Sequence, residues 1–500
     1  MDVRLDPTGT EVRLGDVALS TPGLDGVVSV AGAAPGRRVR GLTAPPAAET
    51  ALDRVLAEEG VVTQREIRID GTREQARRAR GAPILTPHEQ PGIAVTVPPP
   101  PAGMEQFVIY KDESDVVSWH FAETTAAARA IRARGATRAP AQRTYVLPRR
   151  VPTATSPRHA RSIWGAIGQK VIKVVVFPLA GVLVGKAAQA LAGKWERKRR
   201  ATAVRSFGPA DFRQPTSHPP DWRTISGGRA LLVVHGTLTQ AHIEFTRVPA
   251  DFVAWLDQSY GGRTFAFDHF TLSESPTQNV EWFLKQVPAG TTLDLDVLCI
   301  SRGGLVSREL ARLGGGRLRI GKIVYVASPN AGTALASPER IGDFISSWTN
   351  MVNLLPDNPV TYVLEALVTI AKIASVGILQ GLVGLQCMNP DGDFLKSLNA
   401  STGAGSPPRY FAVASDFEPV HSGFRDWTRD VLVDRVFHAS NDLMVPTTGV
   451  FDRNGAAGFP IPAGARLVFG RDAGISHSGY LPDERVRTRI SKWLAASATG

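Results

Sequence analysis

The stretch Val297-Leu298-Cys299-Ile300-Ser301-Arg302-Gly303-Gly304-Leu305 constrains this chain more than any other. An apolar, strand-like run from Leu295 to Ile300, broken only by Asp296, ends in a serine. Two glycines follow, then a helix-like segment from Leu305 to Leu310. A strand, a tight turn with serine at its apex and a helix together lift a hydroxyl clear of the edge of a sheet. Such a turn is strained and needs small residues beside the serine. Gly303 fills the second small position of G-x-S-x-G, while Cys299 stands where the first glycine is expected. A serine before a glycine pair is also an ordinary turn, so the rest of the chain must decide.

With 500 residues, the chain is long enough for two or three domains and at least one large core. Hydrophobic content of 43% and charged content of 21% are those of a globular protein in water. Two cysteines, Cys299 and Cys387, are too few for a disulfide framework and suit a reducing compartment. The first residues, MDVRLDPTGTEVRLGD, have no apolar core and carry acids, unlike a secretory signal. The expected location is therefore cytoplasmic, with peripheral membrane contact as an option.

The net charge of +11 is unevenly spread. From Thr124 to Ala210 there are 18 Lys and Arg against one acid, Glu196, a local excess of +17. Subtracting that from +11 leaves the remainder net acidic by about six charges.

Residues 1–150 form a strand-rich α+β region with no catalytic spacing; His88 and His120 stand isolated, as surface or satisfied core histidines usually do. Its strand candidates are Glu11–Leu19, Gly26–Val30, Val61–Ile69, Phe107–Tyr110 and Val116–Phe121, with a helix at Glu49–Glu59 and a stiff Pro-rich break at Val97–Pro101. Residues 151–220 are expected to be a basic, apolar linker or helical segment. The Ala/Arg-rich Ala126–Arg134 suggests a helix and Gly135–His159 a linker. The uncharged run between Lys173 and Lys186 is 12 residues, short of the ~20 a spanning helix needs. With Trp195 and the cluster Arg197-Lys198-Arg199-Arg200, residues 163–200 have the composition of a helix lying on an anionic membrane surface. A helix packed between domains with a solvated basic end has the same composition. Aromatics are not interleaved with the basic residues and no nucleic-acid-binding fold is recognisable, which argues against nucleic acid.

From about Asp221 to the C-terminus, strand-like and helix-like segments alternate, the pattern of a mainly parallel sheet covered by helices. Strand candidates are Ala230–Val234, Thr264–Phe270, Leu293–Ile300, Lys322–Ala327, Arg409–Ala414, Leu432–His438 and Ala465–Phe469. Helices are expected at Phe252–Gln258, Asn279–Gln286, Leu305–Leu313 and Asp483–Ala496.

Three further signals bear on chemistry. The buried run Leu231–Val234 ends in His235-Gly236-Thr237, about 65 residues before Ser301. Glycine there lets the backbone approach a substrate closely. The segment Val436–Pro446 holds Asp442 in a turn, the position of an acid that could orient a histidine; Asp416 is its rival, and an Asx turn is the plainer role for Asp442. In Ala473–Tyr480, His477 lies among small, flexible neighbours from which an imidazole can reach a serine; His438 and His421 are rival bases. The order Ser301, Asp442, His477 is that of an α/β-hydrolase triad.

Residues 221–500 resemble the α/β-hydrolase superfamily, and most closely bacterial lipase/esterase-like members, through His235-Gly236-Thr237, Ser301-Arg302-Gly303-Gly304-Leu305-Val306 and Asn441-Asp442-Leu443-Met444-Val445-Pro446-Thr447. Phe267–Ser273 and Ala327–Thr333 are similar to further landmarks of those enzymes. The resemblance does not reach residues 1–220. It implies a Ser301 nucleophile, His477 as base and Asp442 as its orienter. It also implies an oxyanion hole made by the backbone N–H groups of Thr237 and Arg302, with His235, Gly236, Gly303 and Gly304 supporting the elbow and loop. No cofactor or metal is required. The apolar insertion at about 334–389 falls where such lipases carry helical lids, which favours small-molecule or lipid esters as substrates. Two alternatives stay open: an inactive hydrolase fold used as a binding or sensor module, for which Cys299 speaks, and an acyltransferase or amidase using the same residues.

Overall fold

The computed structural model describes residues 2–32, 50–74, 92–122, 142–148, 169–179, 186–215, 218–353, 359–377, 382–400, 408–419, 425, 428, 436–453 and 458–495. The chain divides into two compact units. The first comprises Met1–Gly185, Ile341–Leu379 and Pro419–Val431; the second comprises Lys186–Arg340, Gln380–Glu418 and Leu432–Gly500.

In the first unit the strands are β1 (Asp2–Arg4), β2 (Val12–Leu14), β3 (Val17–Ser20), β4 (Leu24–Gly32), β5 (Val62–Glu74), β6 (Ile93–Val97), β7 (Met104–Lys111), β8 (Val117–His120), β9 (Arg143–Leu147) and β10 (Lys170–Pro178). They form a six-stranded sheet, β1-β4-β5-β10-β7-β8, and a four-stranded sheet, β2-β3-β6-β9, in which all pairs are antiparallel. Apolar faces from both sheets share one core: Val28, Ile67, Val108 and Ile172 from the larger, Leu19, Val95, Tyr145 and Leu147 from the smaller.

Two expectations about secondary structure are corrected here. Segment 151–220 is not a linker or a single helical piece, and part of Gly135–His159 is strand β9, with alternating burial along it. Residues 170–178 form β10, hydrogen-bonded on both sides to β5 and β7 and buried almost throughout. Its β-branched run Val174-Val175-Val176 fits a pleated surface. Lys170 and Lys173 are neutralised internally, Lys170 by Glu113 at 2.5 Å and Lys173 by Asp53. Residues 123–141, 149–168 and 180–185, including the expected helix at Ala126–Arg134, lie outside the described residues. The basic end of the stretch is the helix Lys186–Arg199 of the second unit, with Lys194, Arg197, Lys198 and Arg199 exposed.

The insertion is helical, as expected, with helices Ile341–Asn353 and Pro359–Ser375. Both belong to the first unit. The helix Ile341–Asn353 binds β8: Val117 N donates to Asn350 Oδ1 at 2.8 Å and Trp119 Nε1 to Thr349 Oγ1 at 3.0 Å. Among the described residues no helix is long and apolar enough to cross a membrane.

The second unit contains β11 (Ala203–Ser206), β12 (Ala230–Val234), β13 (Thr264–Asp268), β14 (Leu293–Ile300), β15 (Leu318–Val326), β16 (Arg409–Ser415) and β17 (Arg466–Phe469). Their order is β11-β13-β12-β14-β15-β16-β17, parallel throughout except for β11 at one edge. The central strands read as unbroken aliphatic runs because helices cover both faces of such a sheet; β12 is buried at all five positions. From β12 the chain goes first to β13 on one side, then crosses to β14 on the other. The strand order therefore reverses between β12 and β14, and in sheets of this kind ligands bind outside the carboxyl ends of the strands at such a point. This is the α/β-hydrolase sheet that the sequence resembles.

The expected strand at Leu432–His438 is absent where it can be judged: 432–435 lie outside the described residues, and Val436–His438 are not strand. His438 has φ +51°, a left-handed conformation that breaks an extended path.

Candidate active site

Ser301 follows directly on β14 and has φ +49°. That conformation costs a non-glycine residue roughly 1 kcal/mol. It is held by Ser301 N–H donating to Val326 O at 2.8 Å and by Gly304 N–H donating to Ser301 O at 2.9 Å. The helix Gly303–Leu313 begins at once and passes very close to β12. A Cβ on Gly303 would stand 2.5 Å from Val234 O and 2.7 Å from His235 O; one on Gly304 would stand 2.5 Å from Ser328 Cβ. Cys299 sits within the sheet, fully buried, its Sγ 3.3 Å from Val324 O. Burial pushes its thiol up to about 12, so it remains a small neutral side chain. The position accepts a Cβ and a sulfur, so glycine is not required there.

The structure brings Ser301, His477 and Asp442 into one hydrogen-bonded chain. His477 Nε2 is 2.9 Å from Ser301 Oγ, and His477 Nδ1 is 2.8 Å from Asp442 Oδ2. A carboxylate can only accept, so Nδ1 carries the proton and Nε2 is free to accept from the serine hydroxyl. Asp442 Oδ1 accepts from Met444 N at 3.1 Å and Val445 N at 2.9 Å, so the Asx turn exists and serves to aim the other oxygen at the histidine. His477 N–H donates to Asp442 O at 2.9 Å, tying the two loops together. Ser301, His477 and Asp442 are 6%, 5% and 1% exposed, which strengthens each of these bonds relative to water.

The rivals are elsewhere. Asp416 Oδ2 pairs with Arg471 Nε at 3.0 Å on the surface, His438 is exposed, and His421 and His88 lie outside the described residues. His120 is half-buried and bonded to Ser118 Oγ at 2.7 Å, with desolvation lowering its pKa to about 4.

The loop after β12 lies against the serine: a Cβ on Gly236 would be 2.9 Å from Ser301 Cβ. His235 is part of the scaffold. Its Nε2 accepts from His269 N at 2.9 Å, so its Nδ1 donates to Gly236 O at 2.8 Å. Burial lowers its pKa to about 3, and its ring stacks on His269 at 4.2 Å. Among the described residues, the backbone N–H groups of Thr237 and Arg302 have no acceptor within the chain. Those two N–H groups are the pair expected at an oxyanion hole.

Several contributors escaped the sequence reading. The Arg302 guanidinium is buried and, among the described residues, hydrogen-bonds no carboxylate. It donates to Gly384 O at 3.1 Å, Glu274 O at 2.6 Å, Asn279 Oδ1 at 3.1 Å and His269 Nδ1 at 3.1 Å. This anchors the residue next to the serine, and burial lowers the pKa of the group. Glu196, noticed only as the lone acid of the basic stretch, accepts from Thr271 N, Leu272 N and Ser273 N at 2.6, 2.8 and 2.9 Å. Tyr480 donates to Asp442 Oδ2 at 2.9 Å. Its only sequence signal was proximity to His477. Among the described residues no group of three His, Cys, Asp or Glu side chains could hold a metal ion.

A family model described as a domain of unknown function (DUF7379) matches residues 199–495. The chain belongs to the DUF7379 family. The matched DUF7379 region covers all seven strands of the parallel sheet and every residue of the hydrogen-bonded chain. No curated protein matches the sequence. Among solved structures, the chain is similar to a mature-form lipase from Bacillus licheniformis, at 13% identity over 57% of this chain and 97% of that one, with a TM-score of 0.30. It is also similar to lipase 1 from Pelosinus fermentans, at 12% identity over 53% and 97% with a TM-score of 0.36. A carboxylesterase from Bacillus subtilis matches at 12% identity over 54% and 84%, with a TM-score of 0.29.

Proposed function

We propose that this DUF7379 protein is a serine hydrolase that cleaves carboxylic esters of small molecules or lipids through an acyl-enzyme. The observation that carries this is the unbroken path from Asp442 Oδ2 through His477 to Ser301 Oγ, with both links under 3 Å. His477 takes the proton from Ser301 as the oxygen attacks the ester carbonyl. The backbone N–H groups of Thr237 and Arg302 hold the developing oxyanion, and Asp442 keeps His477 in the required tautomer and stabilises the imidazolium. The proton then passes from His477 to the leaving alcohol. In the second half, His477 activates water, which releases the acid and restores Ser301.

The test is hydrolysis of p-nitrophenyl esters of short, medium and long acyl chains by wild type and Ser301→Ala, with fluorophosphonate labelling alongside. Labelling of the wild type alone, and a loss of kcat on the order of 10⁴-fold or more in the variant, is the expected result. Equal activity in both proteins would overturn the assignment of Ser301. Labelling without turnover of any ester would move the assignment to acyl transfer or amide hydrolysis.

A further inference from the structure

We infer that Glu244 is a positioning residue for the oxyanion loop, an inference that rests on the serine-hydrolase reading above. Glu244 ends the short helix Ala241–Glu244, which follows the loop directly. Its Oε1 accepts from Gly236 N at 3.3 Å and from Thr239 Oγ1 at 2.7 Å. Those two donors flank Thr237 and Leu238, so a single carboxyl oxygen clamps both ends of the turn that presents the Thr237 N–H.

Within the turn Thr239 Oγ1 also faces Gly236 O at 3.3 Å, a longer contact than its 2.7 Å bond to Glu244. Leu238 has φ +63°, a left-handed conformation that a γ-branched side chain disfavours. Among the described residues its N–H donates to Thr271 Oγ1, at 3.3 Å. Strained backbone persists where its surroundings over-determine it, and Glu244 provides that constraint. The clamp also lies at the reacting centre: a Cβ on Gly236 would be 3.0 Å from Glu244 Oε1 and 2.9 Å from Ser301 Cβ. Carboxyl and nucleophile therefore flank the same glycine. Burial pushes the Glu244 carboxyl up, opposed by its hydrogen bond from Thr239 and by His477 nearby. The role needs an acceptor oxygen at this place and not a charge, which separates glutamine from an apolar replacement.

The experiment compares the full chain with Glu244→Leu, Glu244→Gln and Thr239→Val, reading kcat and KM on one p-nitrophenyl ester, inhibition by a trifluoromethyl ketone, and thermal midpoint. In Glu244→Leu, displacement of the Thr237 N–H should lower kcat on the order of 10²-fold. KM should change little, and the ketone, whose adduct places an oxyanion in the same hole, should weaken in parallel. Glu244→Gln should restore kcat and ketone affinity. Thr239→Val, which removes one of the two clamped donors, should show a smaller loss of the same kind at an unchanged thermal midpoint. Wild-type kcat in Glu244→Leu would overturn the inference. So would a Gln variant as impaired as the Leu variant, or, should the Leu variant not fold, wild-type kcat in Thr239→Val. Activity that survives Ser301→Ala, or is absent from the wild type, would instead bring down the hydrolase reading and this inference with it.

Discussion

The Tyr480 hydroxyl donates to Asp442 Oδ2 at 2.9 Å, the same carboxylate oxygen that faces His477 Nδ1 at 2.8 Å. Asp442 thus has donors on both oxygens: Met444 N and Val445 N on Oδ1, Tyr480 and His477 on Oδ2. Tyr480 is fully buried, and burial together with the neighbouring Asp442 keeps its hydroxyl protonated. It is therefore a permanent donor.

Removing that donor should loosen the carboxylate without removing it. A hydrogen bond to a charged group contributes about 1.5–3 kcal/mol. Tyr480→Phe should accordingly lower kcat/KM for ester hydrolysis by roughly tenfold, the equivalent of about 1.4 kcal/mol. Steady-state kinetics beside wild type and Asp442→Asn checks this; a Phe variant as impaired as the Asn variant would give Tyr480 a larger part.

Gly303 has no room for a side chain, since an added Cβ would lie 2.5 Å from Val234 O and 2.7 Å from His235 O, both rigid backbone. Gly303→Ala should push the helix Gly303–Leu313 away from β12 and carry Ser301 with it. Overpacking of this kind costs about 1–3 kcal/mol. A lowered thermal midpoint together with slowed fluorophosphonate labelling is the expected outcome.

Stability should fall in acid partly through His235. Burial lowers its pKa from 6.5 to about 3, so the folded protein keeps it neutral while the unfolded chain protonates it. The unfolded state then binds more protons across that window. The contribution is intact above pH 6.5 and is lost progressively as pH falls towards 3, by about 1.4 kcal/mol per pH unit. His242, lowered to about 4 by burial, acts in the same direction. His235→Gln should flatten the acid slope of urea midpoints measured between about pH 7 and about pH 4; an unchanged slope would remove His235 from the account.

Both cysteines are buried, with thiols pushed up to about 12 at Cys299 and about 11 at Cys387. The thiolate is the reactive form. Neither should react with Ellman's reagent in the native protein at neutral pH, and both should react in denaturant. Cys299→Ala should leave serine labelling intact, because the elbow needs only a small residue at that place.

The parts of this protein that local sequence determines are those whose signal lies within a few neighbouring residues. The parallel strands β12 and β14 announce themselves as continuous aliphatic runs because both of their faces are covered. Ser301 is marked by Gly303 and Gly304, the loop after β12 by Gly236, and Asp442 and His477 by the small and polar residues of their turns. Each turn is a local requirement of backbone geometry, so each leaves a trace in composition. Tertiary structure alone decided what depends on partners remote in the chain. The apolar run Lys170–Pro178 is compatible with a helix or a strand, and pairing with β5 and β7 on either side made it β10. The helices Ile341–Asn353 and Pro359–Ser375 are visible in the sequence, yet only their packing assigns them to the first unit. Glu196, Glu244, Arg302 and Tyr480 owe their parts to where a side chain points once the sheet has formed. A hydrogen bond between residues far apart in sequence leaves no periodicity to detect, so such partners appear only when the fold brings donor and acceptor within 3 Å or so of each other.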